Sequence, residues 1–382
     1  MPKHLVVCCD GTWNTAYQTS HGLPCPSNVT RLALSVADEG RDGYRQCIYY
    51  HPGVGTGRWD HLSGGAFGVG LAANVRDGYR FLVDNYEPGD DLYFFGFSRG
   101  AYTARSIAGL VRNCGVLRRH NRDRLADAFR LYRNKKDKPS GMTSTLFRSA
   151  FSYEPTIEFI GVWDTVGALG IPPIGPGFLH PLLNLVNKRW SFHDTQLSSR
   201  VRGAYHALAI DERRSAFKPT LWKKKPEVDQ ILEQVWFTGV HCNIGGGMAD
   251  TSLSDLALLW MVEKAQRHGL VFKRDAFTPR PAGAAADVRP GEDPGFTVAP
   301  SALQLPDRSY TFFYRLVARP FDRPIGVEDG DGGGQGQRVA ETAVQLREKE
   351  PDKYRPMQLI AYLSRTDRPA PAEIPLSYPP ST

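Results

Sequence analysis

Leu92-Tyr93-Phe94-Phe95-Gly96-Phe97-Ser98-Arg99-Gly100, running straight into Ala101-Tyr102-Thr103-Ala104-Arg105, decides how the rest of the chain is read. The apolar run has the length and aromatic content of a buried strand, and Pro88-Gly89-Asp90-Asp91 turns the chain into it. Residues 101–112 carry a helical pattern directly behind it. A GxSxG pentapeptide between strand and helix marks a sharp turn that lifts a serine hydroxyl out of a sheet. Side chains at Gly96 and Gly100 would clash with the neighbouring strand and helix. The helix N-terminus meanwhile directs backbone N–H groups towards charge developing beside Ser98. The plainer alternative is a glycine-rich turn with Ser98 as an N-cap.

Working outward, the same pattern repeats. Leu5-Val6-Val7-Cys8-Cys9 reads as a buried strand ending at Asp10-Gly11-Thr12, and Ser27 reads as the cap of a helix over 29–37. Gln46-Cys47-Ile48-Tyr49-Tyr50, residues 157–163, residues 204–210 and residues 235–240 are further strands. Residues 70–85 and 254–268 are helical. Strands alternating with helices predict a mostly parallel sheet covered on both faces. From 278 to 305 the composition shifts to Pro, Ala and Gly, and Asp329-Gly330-Asp331-Gly332-Gly333-Gly334 reads as a loop. Between them 310–317 suits an edge strand or hairpin, 338–349 suits a helix, and the tail beyond Arg365 is proline-rich. The expected organisation is a catalytic domain over 1–277 and an irregular C-terminal extension over 278–382 that packs on it.

A serine nucleophile needs a base, and the base needs an acid to orient it; hydrolases of this architecture supply them in the order serine, acid, histidine. Asp164 and His241 fit that order. Each ends an apolar strand and is followed by glycines, Gly167 and Gly170 for the acid and Gly245-Gly246-Gly247 for the histidine. Among the other nine histidines, His4, His21, His51, His61 and His120 come too early, His180, His193 and His206 end no strand, and His268 lies in a helical pattern. Asp211 is the rival acid, because it also follows an apolar stretch. Its neighbours Glu212-Arg213-Arg214 read as a structural ion-pair cluster. At the first strand end, Asp10 supports the site, and the N–H groups of Gly11 or Thr12 could complete an oxyanion hole opposite that of Arg99. Asp10-Gly11-Thr12 also raises a metal-dependent phosphoryl hydrolase as an alternative. Enzymes of that kind place a nucleophilic aspartate two residues earlier, where this chain has Cys8. A non-catalytic binding protein on the same fold is the other alternative.

Composition sets the frame. The chain has 382 residues with Lys+Arg 47 against Asp+Glu 40, a net charge of +7. That excess suits transient contact with an anionic membrane surface, but no aromatic interleaving or finger spacing points to nucleic acid. No apolar run approaches the roughly 20 residues of a membrane-spanning helix, and the polar residues near Met1 come too soon for a signal peptide, so a cytoplasmic chain is expected. Six cysteines without a CxxC pair read as free thiols rather than a zinc site. Asn28-Val29-Thr30 means only a helix start, and Pro52-Gly53-Val54-Gly55-Thr56-Gly57 matches no nucleotide-binding loop.

Taken together, Cys9-Asp10-Gly11-Thr12-Trp13-Asn14, Gly53-Val54-Gly55-Thr56-Gly57, the Gly96 to Arg105 stretch, Val162-Trp163-Asp164-Thr165-Val166-Gly167, Asp211-Glu212-Arg213-Arg214 with Phe217-Lys218-Pro219-Thr220-Leu221-Trp222, and Gly239-Val240-His241 with its glycines resemble one group. They are similar to a largely uncharacterised family of bacterial α/β-hydrolases related to phospholipase effectors of type VI secretion. The resemblance spans about residues 3–270. It implies an α/β-hydrolase-like fold, a Ser98-Asp164-His241 triad, no cofactor or metal, and a carboxylic ester substrate of lipid or phospholipid type. The chain departs from the family pattern at Asn243, where an aspartate is usual. Between acid and histidine, the stretch 171–186 is apolar, broken by prolines and glycines, and not strand-like. Phe178, Leu182 and Leu183 are therefore expected to form a lid over the acyl chain, or else to pack on the core.

Overall fold

Residues 5–9 alternate between two apolar faces: Leu5, Val7 and Cys9 turn one way, Val6 and Cys8 the other, and all five are buried. A strand apolar on both sides must be covered twice, which places it inside a parallel sheet. The computed structural model describes residues 2–11, 14, 18–20, 23–53, 64–134, 136–166, 197–223, 229–280, 297–307, 320–327 and 335–378. In it this stretch is β1 (Lys3–Cys9) of a seven-stranded sheet. The others are β2 (Arg45–His51), β3 (Asp91–Phe97), β4 (Ile157–Trp163), β5 (Val201–Ala209), β6 (Ile231–Phe237) and β7 (Gln337–Val339). Their order is β7-β6-β5-β4-β3-β1-β2, and every pairing is parallel.

Parallel strands need crossovers, and among the described residues α1 (Asn28–Ser35), α2 (Gly64–Asn85), α3 (Arg99–Cys114), α4 (Leu125–Arg133), α5 (Met142–Phe151), α6 (His241–Gly245) and α7 (Ser252–Arg267) lie in them, while α8 (Glu341–Lys349) and α9 (Met357–Leu363) follow the last strand. Val29 and Leu32 of α1 and Leu256 to Val262 of α7 pack with Val6, Cys8, Phe95 and Phe159 on one face. Val75, Tyr79 and Leu82 of α2 and Ala104, Ile107 and Val111 of α3 pack with Leu5, Val7, Phe94 and Ile160 on the other. Each large apolar side chain so buried contributes roughly 1.5–3 kcal/mol. Ser27 caps α1 by accepting the Thr30 N–H at 3.1 Å.

Two expectations are corrected. The strand expected over 235–240 stops at Phe237, because Gly239 takes φ +127° and the chain re-enters as α6 at His241. The helix expected over 338–349 starts only at Glu341; Gln337–Val339 instead pairs with Gln234 to Trp236 as β7. With α8 and α9 it closes a third apolar cluster of Leu208, Trp236, Val339, Leu346 and Leu359. The expected edge strand near 310–317 and the glycine loop 329–334 lie outside the described residues. All six cysteines are free thiols. Among the described residues no helix is long and apolar enough to cross a membrane.

Candidate active site

Parallel register brings the carboxyl ends of the strands to one edge. Cys9 stands opposite Gly96, Phe97 opposite Trp163, Trp163 opposite Ala207, and Phe237 opposite Ala209. Residues just past these ends therefore meet, as ligand-binding residues of open parallel sheets do.

Ser98 follows β3 with φ 57° and ψ −118°, a strained conformation for a residue with a side chain. The glycines around it are required by contact. A β-carbon on Gly96 would stand 2.6 Å from the Ala101 Cα, and one on Gly100 would stand 2.1 Å from the Cys9 carbonyl oxygen and 2.3 Å from that of Asp10. Ser98 N–H donates to the Trp163 carbonyl at 3.0 Å, which ties the turn to β4. Arg99 opens α3, so its N–H lies at the N-terminal end of that helix, where the dipole is positive.

His241 lies between these strands at the start of α6. Its Nε2 is 2.8 Å from Ser98 Oγ and its Nδ1 is 2.5 Å from Asp164 Oδ2. The ring packs on Phe97 with centroids 4.6 Å apart and meets Phe217 in a T-shaped arrangement at 4.8 Å. Its backbone N–H donates to Glu212 Oε2 at 3.3 Å. Ser98, Asp164 and His241 are each at most 5% exposed. The three residues named from sequence order thus stand in one hydrogen-bonded chain.

Asp164 lies just past β4 at φ 39°, its N–H held by the Ala207 carbonyl at 2.7 Å. Oδ1 accepts the Ala209 N–H at 3.1 Å. Both oxygens also face a residue the sequence did not suggest: Arg323 donates from Nη1 to Oδ1 at 2.6 Å and from Nη2 to Oδ2 at 3.0 Å. Burial alone would raise the Asp164 pKa, but the Arg323 charge, followed by His241, holds it well below the usual carboxylate range. His206, set aside because it ends no strand, accepts the Thr165 N–H on Nε2 at 3.1 Å and so fixes the acid loop from below. Burial and the charge of Arg105 push its pKa down to about 3, which keeps that nitrogen an acceptor.

Asp211 is elsewhere. Its Oδ2 accepts the Gly239 N–H at 2.8 Å and the Tyr354 hydroxyl at 3.1 Å. Nor does it join the neighbouring ion pairs, since Arg214 engages Glu212 at 2.7 Å and Arg213 engages Asp322 at 2.8 Å. Asp10 is buried and filled with donors: Gly11 N–H at 2.7 Å, Ser27 Oγ at 2.6 Å, Thr30 Oγ1 at 2.8 Å, Tyr50 OH at 2.9 Å and Asn14 Nδ2 at 3.4 Å. The Gly11 N–H therefore points at the Asp10 carboxylate. Asn243 Oδ1 accepts the Val240 N–H at 3.0 Å, and its Nδ2 donates to Asp307 at 2.8 Å. Thr12, Gly167, Gly170, His180, His193 and the expected lid residues Phe178, Leu182 and Leu183 lie outside the described residues. Among the described residues, no three His, Cys, Asp or Glu side chains gather in a way that would hold a metal ion.

The uncharacterized protein YEL023C of Saccharomyces cerevisiae is 29% identical over 265 residues, which are 63% of this chain and 35% of that protein. A crystal structure of an uncharacterized protein from Pseudomonas aeruginosa shares 18% identity at a TM-score of 0.44, covering 71% of this chain and 46% of that one. The chain thus spans about a third of the yeast protein and under half of the bacterial one. Residues 3–264 match the model of the type VI secretion phospholipase effector, Tle1-like, catalytic domain, a span that runs from β1 into α7 and holds Ser98, Asp164 and His241. The chain belongs to the Tle1-like phospholipase effector catalytic-domain family.

Proposed function

We propose that this chain is a serine hydrolase of lipid acyl esters, with Ser98 as nucleophile, His241 as general base and acid, and Asp164 as the residue that orients the imidazole. The observation that carries this reading is the continuous line Ser98 Oγ to His241 Nε2 to Asp164 Oδ2, at 2.8 and 2.5 Å. Family membership supports the lipid ester substrate.

Such a line performs acyl transfer in two halves. His241 Nε2 takes the Ser98 proton as Oγ bonds to the ester carbonyl carbon, and the carbonyl electrons move onto oxygen. The Arg99 N–H at the start of α3 stabilises that oxyanion; a donor of this kind is worth about 10²–10³ in turnover. Asp164 holds the His241 Nδ1–H and offsets the charge the imidazole gains. Collapse of the intermediate breaks the ester C–O bond, and Nε2–H protonates the departing alkoxide. Water then repeats the sequence on the acyl-serine, releasing the fatty acid and restoring Ser98. Burial of all three side chains strengthens each of these interactions.

A fluorophosphonate probe and phospholipid vesicles test this together. Wild type is expected to become covalently labelled and to release fatty acid, and Ser98→Ala is expected to do neither, with a fall in turnover of about 10⁴–10⁶. Fatty acid release that survives in Ser98→Ala would overturn the assignment.

A further inference from the structure

We propose that Arg323 is a positioning residue for the Asp164–His241 pair, and that by neutralising Asp164 it sets the pH range over which His241 can serve as a base. This inference rests on the serine hydrolase reading above.

The geometry is that of a two-pronged clamp. A planar guanidinium matches the two oxygens of a carboxylate, which an ammonium cannot do. Both oxygens of Asp164 are held, at 2.6 and 3.0 Å, and both side chains are fully buried. The guanidinium is itself fixed: Nη1 also donates to the Ala209 carbonyl at 3.0 Å and Nη2 to that of Phe217 at 2.5 Å. These two carbonyls lie at the end of β5 and beside the ring that meets His241 in a T-shaped arrangement. Oδ2 of Asp164 is shared, because it receives both Arg323 Nη2 and His241 Nδ1. Any shift of Arg323 therefore moves the oxygen that orients the imidazole.

The charges around His241 show why a clamp matters. Asp164 faces its ring from the end of β4, and Glu212, past β5, faces its backbone N–H. Two uncompensated carboxylates in a buried site would favour positive charge on a neighbouring imidazole. Each instead carries a guanidinium. Arg323 holds Asp164, and Arg214 holds Glu212 through Nε at 2.8 Å and Nη2 at 2.7 Å while lying over the Phe217 ring at 3.8 Å. Among the described residues, the other titratable groups nearby are Ser98 on Nε2, the adjoining Cys242 thiol, and Asp307, which is turned to Asn243. The cations thus balance the two carboxylates that contact His241. Arg323 lies beyond residue 264, where the family match ends, so the C-terminal segment supplies part of the catalytic unit.

The full-length chain tests this through the pH dependence of kcat/KM for p-nitrophenyl butyrate, with thermal unfolding measured in parallel. Loss of the Arg323 cation leaves Asp164 free to stabilise the imidazolium, so the acid limb of the Arg323→Met profile is expected to move up by about one pH unit or more. Arg323→Lys keeps a cation but loses the fork; its kcat is expected to fall about tenfold or more with KM little changed. Should Arg323→Met fail to fold, Arg323→Lys decides. A folded variant with lowered thermal stability but wild-type kcat and acid limb would make Arg323 merely structural and overturn the proposal. Ser98→Ala run alongside separates the two claims: activity persisting there removes the serine reading, whereas activity lost there with unshifted Arg323 variants removes only this one.

Discussion

The Phe97 ring lies so close to Gly245 that a β-carbon on the glycine would stand 2.0 Å from the ring Cε2. The opposite edge of the ring is also closely approached, since a β-carbon on Gly11 would be 3.0 Å from Cδ1. Phe97 is thus held between two glycines and, in turn, supports His241 at 4.6 Å. Gly245→Ala must displace the ring, and the imidazole with it. The expected result is a fall in kcat of up to about 100-fold, since misplacement of a catalytic group by about 1 Å costs that much. Overpacking should also lower stability by about 1–3 kcal/mol. Steady-state kinetics and chemical denaturation check both, and a wild-type kcat would show that the ring does not set the position of His241.

Ser98 stores backbone strain that glycine would not feel. At φ 57° and ψ −118° a residue with a β-carbon costs about 1–3 kcal/mol. Ser98→Gly and Ser98→Ala both remove the hydroxyl and are expected to be inactive, but Ser98→Gly should be the more stable by about 1 kcal/mol, part of the gain being offset by greater unfolded-state entropy. The comparison isolates the backbone from the hydrogen bond to His241. Equal melting temperatures for the two variants would mean that the turn is not strained.

What the sequence discloses about this site follows from how local each feature is. Ser98 is legible because strand, glycine turn and helix are contiguous, and the close contacts of Gly96 and Gly100 act within that stretch or against the neighbouring β1 end. Asp164 and His241 are legible because each lies just past a buried strand, although Gly239 ends the second strand earlier than its apolar residues suggest. Asp211 follows a strand equally well; it is strand position that separates the two acids, with β4 adjoining β3 and β5 one place further out. Arg323 could not be read at all. It reaches Asp164 from 159 residues away, out of a proline-flanked segment with no periodicity, and in sequence it is one of many arginines. β7 is missed for a simpler reason, since three residues are too few to show a period.

If Asp164 orients His241 as proposed, removing its carboxylate should damage catalysis and stability together. Asp164→Asn leaves the backbone at φ 39° acceptable, because asparagine tolerates that region. Its amide, however, can present an N–H to His241 and favour the wrong tautomer, at a cost of about 10⁴ in kcat. It also strands the Arg323 charge in a buried site, for which the loss is about 3–5 kcal/mol. Kinetics and denaturant titration of the same preparation measure both effects. A variant that loses activity without losing stability would show that Arg323 finds another partner when Asp164 is neutral.

Asp211 provides the contrasting case, in which an acid opposes the fold. Burial raises its pKa to about 7, with the Gly239 N–H, the Tyr354 hydroxyl and the Arg323 charge only partly opposing that rise. In the unfolded chain the same group titrates near 4. The folded state therefore binds the extra proton between about pH 4 and 7, so the stability this carboxyl contributes is complete below the unfolded value and is lost as pH rises through the folded one. Asp211→Asn keeps an oxygen that can accept from Gly239 and Tyr354 but cannot ionise. It is expected to retain hydrolase activity, to match wild-type stability near pH 4, and to exceed it by up to a few kcal/mol at pH 8, the equivalent of the pKa shift. Thermal unfolding from pH 4 to 8 checks the sign directly. If the variant instead tracks wild type at every pH, Asp211 does not titrate in this window.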